Sequence, residues 1–259
     1  MKIAVLGIDP QNSFCHPSGS LFVPGADKDM ERAAEFIVRN KSKIDYIGLT
    51  QDTHHIIDIS HPAFWQDKDG KNPDPFTIIT AADVKNGTWS PLYQPLKVIK
   101  YLEELEAQGE FPHCIWPEHC IKGSEGYAIY TPIMDAISEW ARDNHFFQIV
   151  SKGEHPLTEH FGAFRANVPI PNEPSTQLNM GFVNVLEKYD VIYFFGEAKS
   201  HCVANTLKQA FDHPALAQKL VVLQDCMSNV PGFETLADPI YAEAVKMNIE
   251  FANAADITL

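Results

Sequence analysis

The sequence predicts an α/β fold with three layers, in which helices cover both faces of a mainly parallel central sheet. Short apolar runs, each long enough for one buried strand, alternate with segments whose apolar residues recur at helical spacing. Polar side chains follow several of these runs directly, at the carboxyl edge where parallel sheets place functional groups. The predicted strands cover residues 3–8, 44–50, 146–150, 191–195 and 220–223.

Amphipathic segments between these runs predict the helices that return the chain to the sheet. In the first of them, Met30, Ala33 and Ile37 fall on one face behind an acidic first turn. The strand-helix alternation is typical of parallel strands joined by crossover helices. The predicted helices cover residues 27–40, 95–108, 132–144, 180–189 and 236–251.

The length of 259 residues is enough for one large core, and we predict a single domain over residues 1–259. An irregular insertion at about 63–113 follows the second strand. Its first part, residues 67–95, is rich in Asp, Lys, Asn, Gly and Pro and lacks sustained periodicity, apart from a short predicted strand at 77–80.

Charge and cysteine usage bound the partners and the compartment. A net charge of −14 argues against binding to nucleic acid or to an anionic membrane surface, since both need clustered Lys and Arg. No apolar stretch is long enough to span a bilayer, and the amino terminus lacks a signal region. Five scattered cysteines, an odd number, suit a reducing cytoplasm. Whether the chain forms a homo-oligomer is left open.

Cys202 lies where the apolar run 191–195 passes through a Gly-containing turn into a helical segment. A thiol in the first turn of that helix would meet unpaired N–H groups and the positive end of the helix dipole, which favour the nucleophilic thiolate. The same N–H groups could stabilise an oxyanion. The alternative is a buried structural cysteine.

Asp9 and Lys152 each follow another predicted strand, so one edge of the sheet could bring them to Cys202. Cys202 would then act as nucleophile, Asp9 as proton acceptor and Lys152 as charge stabiliser. Taken singly, Asp9 could cap a turn and Lys152 could be solvated.

Asp52 and His54 point the same way if the second strand continues in extended form, so they could share one metal ion. Carboxylate and imidazole ligands suit zinc, iron or manganese. His119, in the polar-aromatic patch before residues 123–126, can supply a third ligand. The alternatives are a solvated loop for the pair and a structural role for His119.

Five segments together resemble the nicotinamidase family of the isochorismatase-like cysteine hydrolases, and they occur in the family's order. They are Asp9-Pro10-Gln11-Asn12-Ser13-Phe14, Asp52-Thr53-His54, Trp116-Pro117-Glu118-His119-Cys120, Lys152-Gly153, and Gly196-Glu197-Ala198-Lys199-Ser200-His201-Cys202-Val203. The chain departs from the common pattern at His55, at the pair Ser200-His201, and in its longer insertion.

The resemblance implies a catalytic triad, a metal triplet and a cis peptide bond before Ala198. The ion, one divalent metal with zinc as first candidate and iron or manganese as alternatives, would face a carboxamide substrate. In an extended segment His55 points away from Asp52 and His54, and His61, farther along, could instead shape the pocket rim, so we expect both to lie outside the metal's coordination. The implied residues are Asp9, Lys152 and Cys202 for catalysis, and Asp52, His54 and His119 for the metal.

The activity implied is hydrolysis of nicotinamide to nicotinate, within NAD salvage and pyridine nucleotide biosynthesis. We expect backbone N–H groups of Ala198 and Cys202 to hold the oxyanion, and Phe14 and Trp116 to form aromatic walls of the pocket, although either ring could be core. Three alternatives remain open: hydrolysis of another small amide or ureido compound, cleavage of a vinyl ether without the thiol, and a catalytically silent metal-binding module.

Overall fold

The computed structural model describes residues 1–259, and its centre is a six-stranded parallel sheet. The strand order is β5-β2-β1-β6-β7-β8, and every neighbouring pair is parallel. A two-stranded antiparallel sheet, β3-β4, lies apart from it. The strands are β1 (Ile3–Ile8), β2 (Tyr46–Asp52), β3 (Trp65–Gln66), β4 (Ser90–Pro91), β5 (Gln148–Lys152), β6 (Val191–Gly196), β7 (Leu220–Leu223) and β8 (Glu250–Ala252).

Helices cover both sides of the six-stranded sheet, which confirms the predicted fold class. Helix α2 packs against α5, and helix α7 packs against α9. The helices are α1 (Asn12–Cys15), α2 (Ala26–Asn40), α3 (Ala81–Asn86), α4 (Pro95–Ala107), α5 (Thr131–Ala141), α6 (Met180–Leu186), α7 (Ala204–Phe211), α8 (Pro214–Ala217) and α9 (Asp238–Lys246). No helix is both long and apolar enough to cross a membrane.

The main core forms around β1 and β6, the two strands at the middle of the sheet. All six residues of β1 are buried, and β6 is buried from its second residue onward, so both strands are covered on both faces. This is why their sequences read as continuous apolar runs instead of alternating ones. The central position of β1 and β6 brings Asp9 and Cys202, which follow these strands, to one edge of the sheet.

The region of the predicted insertion has its own small hydrophobic cluster, built around Trp65, Leu102 and Ile115. It contains β3, β4, α3 and α4, so regular elements interrupt the loops. The predicted strand at 77–80 is reduced to an isolated bridge between Ile78 and Cys114. The division into one domain with an insertion at about 63–113 stays a prediction.

Several predicted elements differ from the structure in their bounds, among them the closing helix and the strand before Lys152. The closing helix ends at Lys246, because Asn248 takes a left-handed conformation with φ 59° and turns the chain into β8, which pairs with β7. The strand predicted at 146–150 begins two residues later and ends at Lys152, since its pairing with β2 starts at Gln148. Lys152 is therefore the last residue of β5, and it lies beside Asp52 in the register.

Candidate active site and metal site

Cys202 lies in a π-helical turn, Lys199–Val203, that links β6 to α7. The chain leaves β6 at Gly196, whose φ of 139° and close approach to Ile8 leave no room for a side chain: an added Cβ would lie 2.2 Å from the Ile8 carbonyl oxygen. The Glu197–Ala198 peptide bond is cis, which confirms that prediction. The prediction of an α-helical first turn at Cys202 was wrong in type, because the π turn precedes α7.

Lys152 lies at the centre of the site, and its side chain is only 1% exposed. The Nζ atom lies 2.9 Å from Asp9 Oδ2 and 2.8 Å from Asp52 Oδ1. It also donates to the carbonyl oxygen of His160 at 2.9 Å and lies 3.8 Å from Cys202 Sγ. One ammonium group thus contacts the predicted base, the predicted nucleophile and a predicted metal ligand.

Asp9 is fully buried and sits just beyond β1 in a left-handed conformation, with φ 46°. The Thr50 hydroxyl holds it at two points: it accepts from the Asp9 N–H at 3.0 Å and donates to Oδ1 at 2.5 Å. Burial raises the pKa of the Asp9 carboxyl, and the opposing attraction of Lys152 does not cancel this. A carboxyl with a raised pKa is suited to both taking and returning a proton.

Burial also raises the pKa of the Cys202 thiol well above its usual value, although Lys152 pulls in the other direction. The expectation that the helix start would favour the thiolate was therefore wrong, because desolvation outweighs the nearby cation. The thiol rests in its protonated form. Its activation needs a base, and Asp9, which contacts the thiol, is the carboxyl in position to serve.

The predicted metal residues form a compact cluster on the other side of Lys152. Asp52 Oδ2 lies 3.0 Å from His54 Nε2 and 3.6 Å from His119 Nε2, and one ligand atom of each residue falls within 4.8 Å of the others. The segment that carries His119 is held beside His54 by backbone hydrogen bonds, His54 N–H to Cys120 O and Lys122 N–H to His54 O, both at 3.0 Å.

The second nitrogen of each imidazole has a fixed partner, which orients the ring toward Asp52. His119 Nδ1 donates to the Pro117 carbonyl oxygen at 2.8 Å, and His54 Nδ1 lies 3.2 Å from Asp58 Oδ2. Both Nε2 atoms are thereby directed at Asp52. This pattern, an imidazole held from behind by an oxygen, is usual for metal-binding histidines, so the donor set fits a divalent ion.

Burial opposes ionisation of Asp52, but the attraction of Lys152 and His54 outweighs it and holds the pKa of this carboxyl well below its usual range. His55 is exposed and lies outside the cluster. His61 is fully buried behind His119, where its Nδ1 donates to the His55 carbonyl oxygen at 3.0 Å. Its ring does not line the pocket, so it does not shape the pocket rim.

Gln11 joins the loops that follow β1 and β2. Its side-chain oxygen accepts from the Asp52 N–H at 2.7 Å, and its amide donates to the Asp52 carbonyl oxygen at 2.9 Å. The same amide donates to the Tyr127 carbonyl oxygen at 3.0 Å. The backbone at Asp52 is thus satisfied by a side chain instead of a neighbouring strand.

A narrow cavity of about 30 Å³ lies between the thiol and the metal cluster. Since one water molecule needs roughly 10–15 Å³, the cavity has room for about two of them. The structure brings all the predicted site side chains to this region, and Phe14 and Trp116 line the cavity. The Ala198 N–H donates to no backbone carbonyl. The roles of these residues, including the oxyanion role of Ala198 and Cys202, stay predictions.

Glu159, Phe161 and His201 also line the cavity, and the sequence did not single them out for it. Burial raises the pKa of Glu159 to about 8, and its Oε1 has no hydrogen-bond partner in the chain. Burial lowers the pKa of His201 to about 3, so this ring is neutral among the aromatic side chains around it. In the sequence, His201 stood out only as a departure from the family pattern. No sequence feature near Glu159 indicates that it lines the cavity.

Comparison with known proteins places this geometry among characterised folds. No protein-family model matches the chain. A curated nicotinamidase from Saccharomyces cerevisiae is 26% identical over 227 residues, 87% of each chain. A solved structure of the yeast nicotinamidase is 25% identical, covers 98% of this chain and 100% of its own, and has a TM-score of 0.65.

Two solved structures with lower sequence identity to this chain share the fold. A nicotinamidase and pyrazinamidase from Acinetobacter baumanii is 21% identical, with a TM-score of 0.66 and coverage of 99% and 98% of the two chains. A pyrazinamidase from Pyrococcus horikoshii, solved in complex with zinc, is 18% identical, with a TM-score of 0.58 and coverage of 98% and 99%.

In fold and in the arrangement of its site the chain is similar to the isochorismatase-like hydrolases. Within that class the chain is similar to the nicotinamidases, so the resemblance carried by the five sequence segments is confirmed. The predicted enzyme class, a nicotinamidase-like amidohydrolase, is confirmed by the same relatives.

Proposed function

We propose that the chain is a metal-dependent cysteine amidohydrolase that converts nicotinamide to nicotinate and ammonia. The observation that carries the proposal is the position of Lys152, whose ammonium group contacts both the Asp9 carboxyl beside the Cys202 thiol and the Asp52 carboxyl beside two imidazoles. The relatives named nicotinamidase support the choice of substrate.

In the first half of the reaction, Asp9 accepts the proton of Cys202 while Sγ attacks the carboxamide carbon. The carbonyl oxygen gains negative charge, which the N–H groups of Ala198 and Cys202 stabilise. The carbon–nitrogen bond then breaks, Asp9 returns the proton to the nitrogen, and ammonia leaves. The product of this half is a thioester on Cys202.

In the second half, Asp9 accepts a proton from a water molecule whose oxygen attacks the thioester carbon. The carbon–sulfur bond breaks, the proton on Asp9 passes back to Cys202, and the nicotinic acid formed releases its own proton to solvent to give nicotinate. Lys152 stays charged throughout, because Asp9 and Asp52 raise its pKa well above the usual value against the opposing effect of burial. Its charge favours the anionic form of Asp9 whenever the proton has moved on.

Asp52, His54 and His119 would hold the divalent ion, with zinc as first candidate. When bound, such an ion supplies a Lewis-acidic site with open positions for a pyridine nitrogen and for water. Around it, Phe14 and Trp116 would stack on the ring and exclude water.

The five cysteines are free in the structure, which supports a reducing compartment such as the cytoplasm.

The test is ammonia release from a panel of amides by metal-reconstituted protein, with Cys202→Ala as control. The panel includes nicotinamide, benzamide, other heteroaromatic carboxamides and a ureido compound. We expect nicotinamide to be turned over and Cys202→Ala to be inactive. Turnover of only a ureido or non-aromatic amide would assign a different substrate, and no turnover of any amide would leave a silent metal-binding module.

A second arm tests the place of the metal. Because the ion would bind the ring nitrogen, His119→Ala should weaken binding of pyridine carboxamides far more than binding of benzamide, which lacks that nitrogen. His55→Ala, at an exposed residue outside the cluster, is the matched control. Equal losses for both ligands in His119→Ala would contradict a contact between metal and ring nitrogen.

A further inference from the structure

Glu197 is a fully buried acid that lies next to the active-site loop and takes no part in the proposed reaction. Its Oε2 accepts from the Ser228 N–H at 3.2 Å, whereas its Oε1 has no hydrogen-bond donor in the chain. Asp29 of α2, which is 3% exposed, contacts Glu197, and Ser228 binds both carboxyl groups, Glu197 through its N–H and Asp29 through its hydroxyl. Two carboxyl groups therefore meet in a place that water does not reach.

Two carboxyl groups in contact cannot both be ionised at moderate pH, because the like charges repel and burial penalises each of them. Asp29 has cationic and polar partners of its own, the Arg32 guanidinium and the Ser228 hydroxyl. Glu197 has a free oxygen and no cation in contact. The shared proton therefore resides on Glu197.

The backbone around Glu197 connects this pair to the proposed catalytic groups. The Glu197 N–H donates to the Ile8 carbonyl oxygen at 2.9 Å, directly before Asp9, and the Lys199 N–H donates to the Ser228 carbonyl oxygen at 2.8 Å. Glu197 also forms the peptide bond with Ala198. A change in the carboxyl pair is transmitted to the loop on both sides of Ala198.

We propose that Glu197 is a positioning residue, which shares one proton with Asp29 and through this uncharged contact holds the loop that carries Ala198 and Cys202. The catalytic part of this inference rests on the proposed function, because Ala198 and Cys202 have their roles from it. The shared proton itself rests on the contacts alone.

Four charged or titratable groups face Glu197 from the elements packed around it: Asp29 and Arg32 on α2, Cys15 on α1, and Tyr241 on α9. Burial raises the pKa of the Cys15 thiol and of the Tyr241 hydroxyl, so both stay neutral up to alkaline pH. Arg32 keeps its charge at every accessible pH. The carboxyl pair is left as the group that titrates here between weakly acid and alkaline pH.

Burial, and then Asp29, raise the pKa of Glu197 well above its usual value. A group with a raised folded-state pKa contributes stability that is complete below its ordinary pKa and is lost as the pH rises through the folded-state value. Glu197→Gln removes this dependence, since an amide donates to Asp29 and accepts from Ser228 at every pH. The difference in melting temperature, variant minus wild type, should grow by about 4 °C or more from pH 5 to pH 9.

The experiment compares wild type, Glu197→Gln and Glu35→Gln, an exposed acid on the same helix as Asp29, at pH 5 to 9. It measures melting temperature, the rate of Cys202 alkylation and kcat for nicotinamide. As the pH rises, we expect the melting temperature and kcat of the wild type to fall relative to those of Glu197→Gln. The alkylation rate of the wild type should rise relative to that of Glu197→Gln. Glu35→Gln should behave as the wild type does.

The three measurements separate the outcomes. A pH-independent difference in melting temperature would overturn the shared proton. A difference in melting temperature that grows with pH, together with flat ratios of alkylation rate and kcat, would show that the pair does not position the loop. If no protein releases ammonia from nicotinamide, the proposed function fails, and melting temperature and alkylation still decide the inference.

Discussion

Asp9 and Asp52 contact the same ammonium group, yet their pKa values move in opposite directions. Both follow or end parallel strands and both lie within 3 Å of Lys152 Nζ. Burial raises the pKa of Asp9, whose other side-chain partner is the Thr50 hydroxyl. Asp52 is held ionised because, against the effect of burial, His54 adds its attraction to that of Lys152.

The difference shows that a shared cation does not by itself decide what a carboxylate does. The catalytic half of the site offers Asp9 one cation and a thiol, so a proton can move on and off it. The metal half surrounds Asp52 with three groups that can carry positive charge, so its negative charge stays in place. Two carboxyls at the same edge of a sheet are thereby prepared for proton transfer and for cation binding respectively.

The strongest test removes the thiol, which should stop catalysis and leave metal binding unchanged. Cys202→Ala should abolish amide hydrolysis, a loss of about 10⁴-fold or more, because no other group can form the thioester. Its metal content should equal that of the wild type, since Sγ is not among the metal cluster. Ammonia assays and metal analysis on the same preparation measure both. Residual turnover within about 10-fold of wild type would remove Cys202 from the role of nucleophile.

Asp9→Asn and Asp52→Asn exchange the same group in the two halves. Asp9→Asn should lower kcat by about 10²–10⁴-fold with metal retained, because the proton acceptor is lost. Asp52→Asn should lose the metal, since the anionic ligand is gone. Turnover and metal occupancy of the two variants are measured side by side. Metal loss in Asp9→Asn, or full occupancy in Asp52→Asn, would contradict the division between the halves.

Lys152→Met should impair both halves together, because it leaves Asp9 and Asp52 without their common partner. We expect a loss of turnover of about 10²–10³-fold, since the pKa of Asp9 rises further and the developing negative charge is less well stabilised. Lys122→Met, at an exposed ion pair with Glu154, is the matched control and should behave as wild type. Near-normal turnover in Lys152→Met would show that its charge is dispensable.

Asp58→Asn should have the smallest effect and should act on the metal half alone. Asp58 lies behind His54, at 3.2 Å from Nδ1, and orients the ring without being a ligand. Loss of such a partner typically lowers metal affinity by about 10–100-fold. Competition with a chelator measures the affinity. An unchanged affinity, or one as weak as in Asp52→Asn, would show that Asp58 does not act from behind the ligand.

The parts of the site that the sequence predicts are those set by strand direction. Asp9, Lys152 and Asp52 lie at or just beyond the ends of parallel strands, and topology brings such ends to one edge. His54 follows from the alternation of side chains along an extended segment. The strand at Glu250–Ala252 was hidden in an amphipathic run, because its assignment depends on the free edge of β7.

Properties that depend on burial could not be predicted in the same way. The helix start at Cys202 suggested a thiolate, but the direction of its pKa is set by the side chains that exclude water from it. Glu159 lies between short irregular segments, where no periodicity reports orientation. The contact of Glu197 with Asp29 joins residues that are far apart in the sequence, and nothing local in either segment indicates it.

Gln11 joins the loop that follows Asp9 to the backbone of Asp52, and so links the two halves of the site. A glutamine side chain has the same hydrogen-bonding groups as a peptide unit, and here it completes the backbone of Asp52 from the loop that begins two residues earlier at Asp9. The length of this side chain thus helps to set the spacing between the two carboxylates, together with Lys152 and Thr50. Asn would be one methylene too short to span the same gap, and Glu would lack a donor. Either change would therefore remove hydrogen bonds that join the two loops.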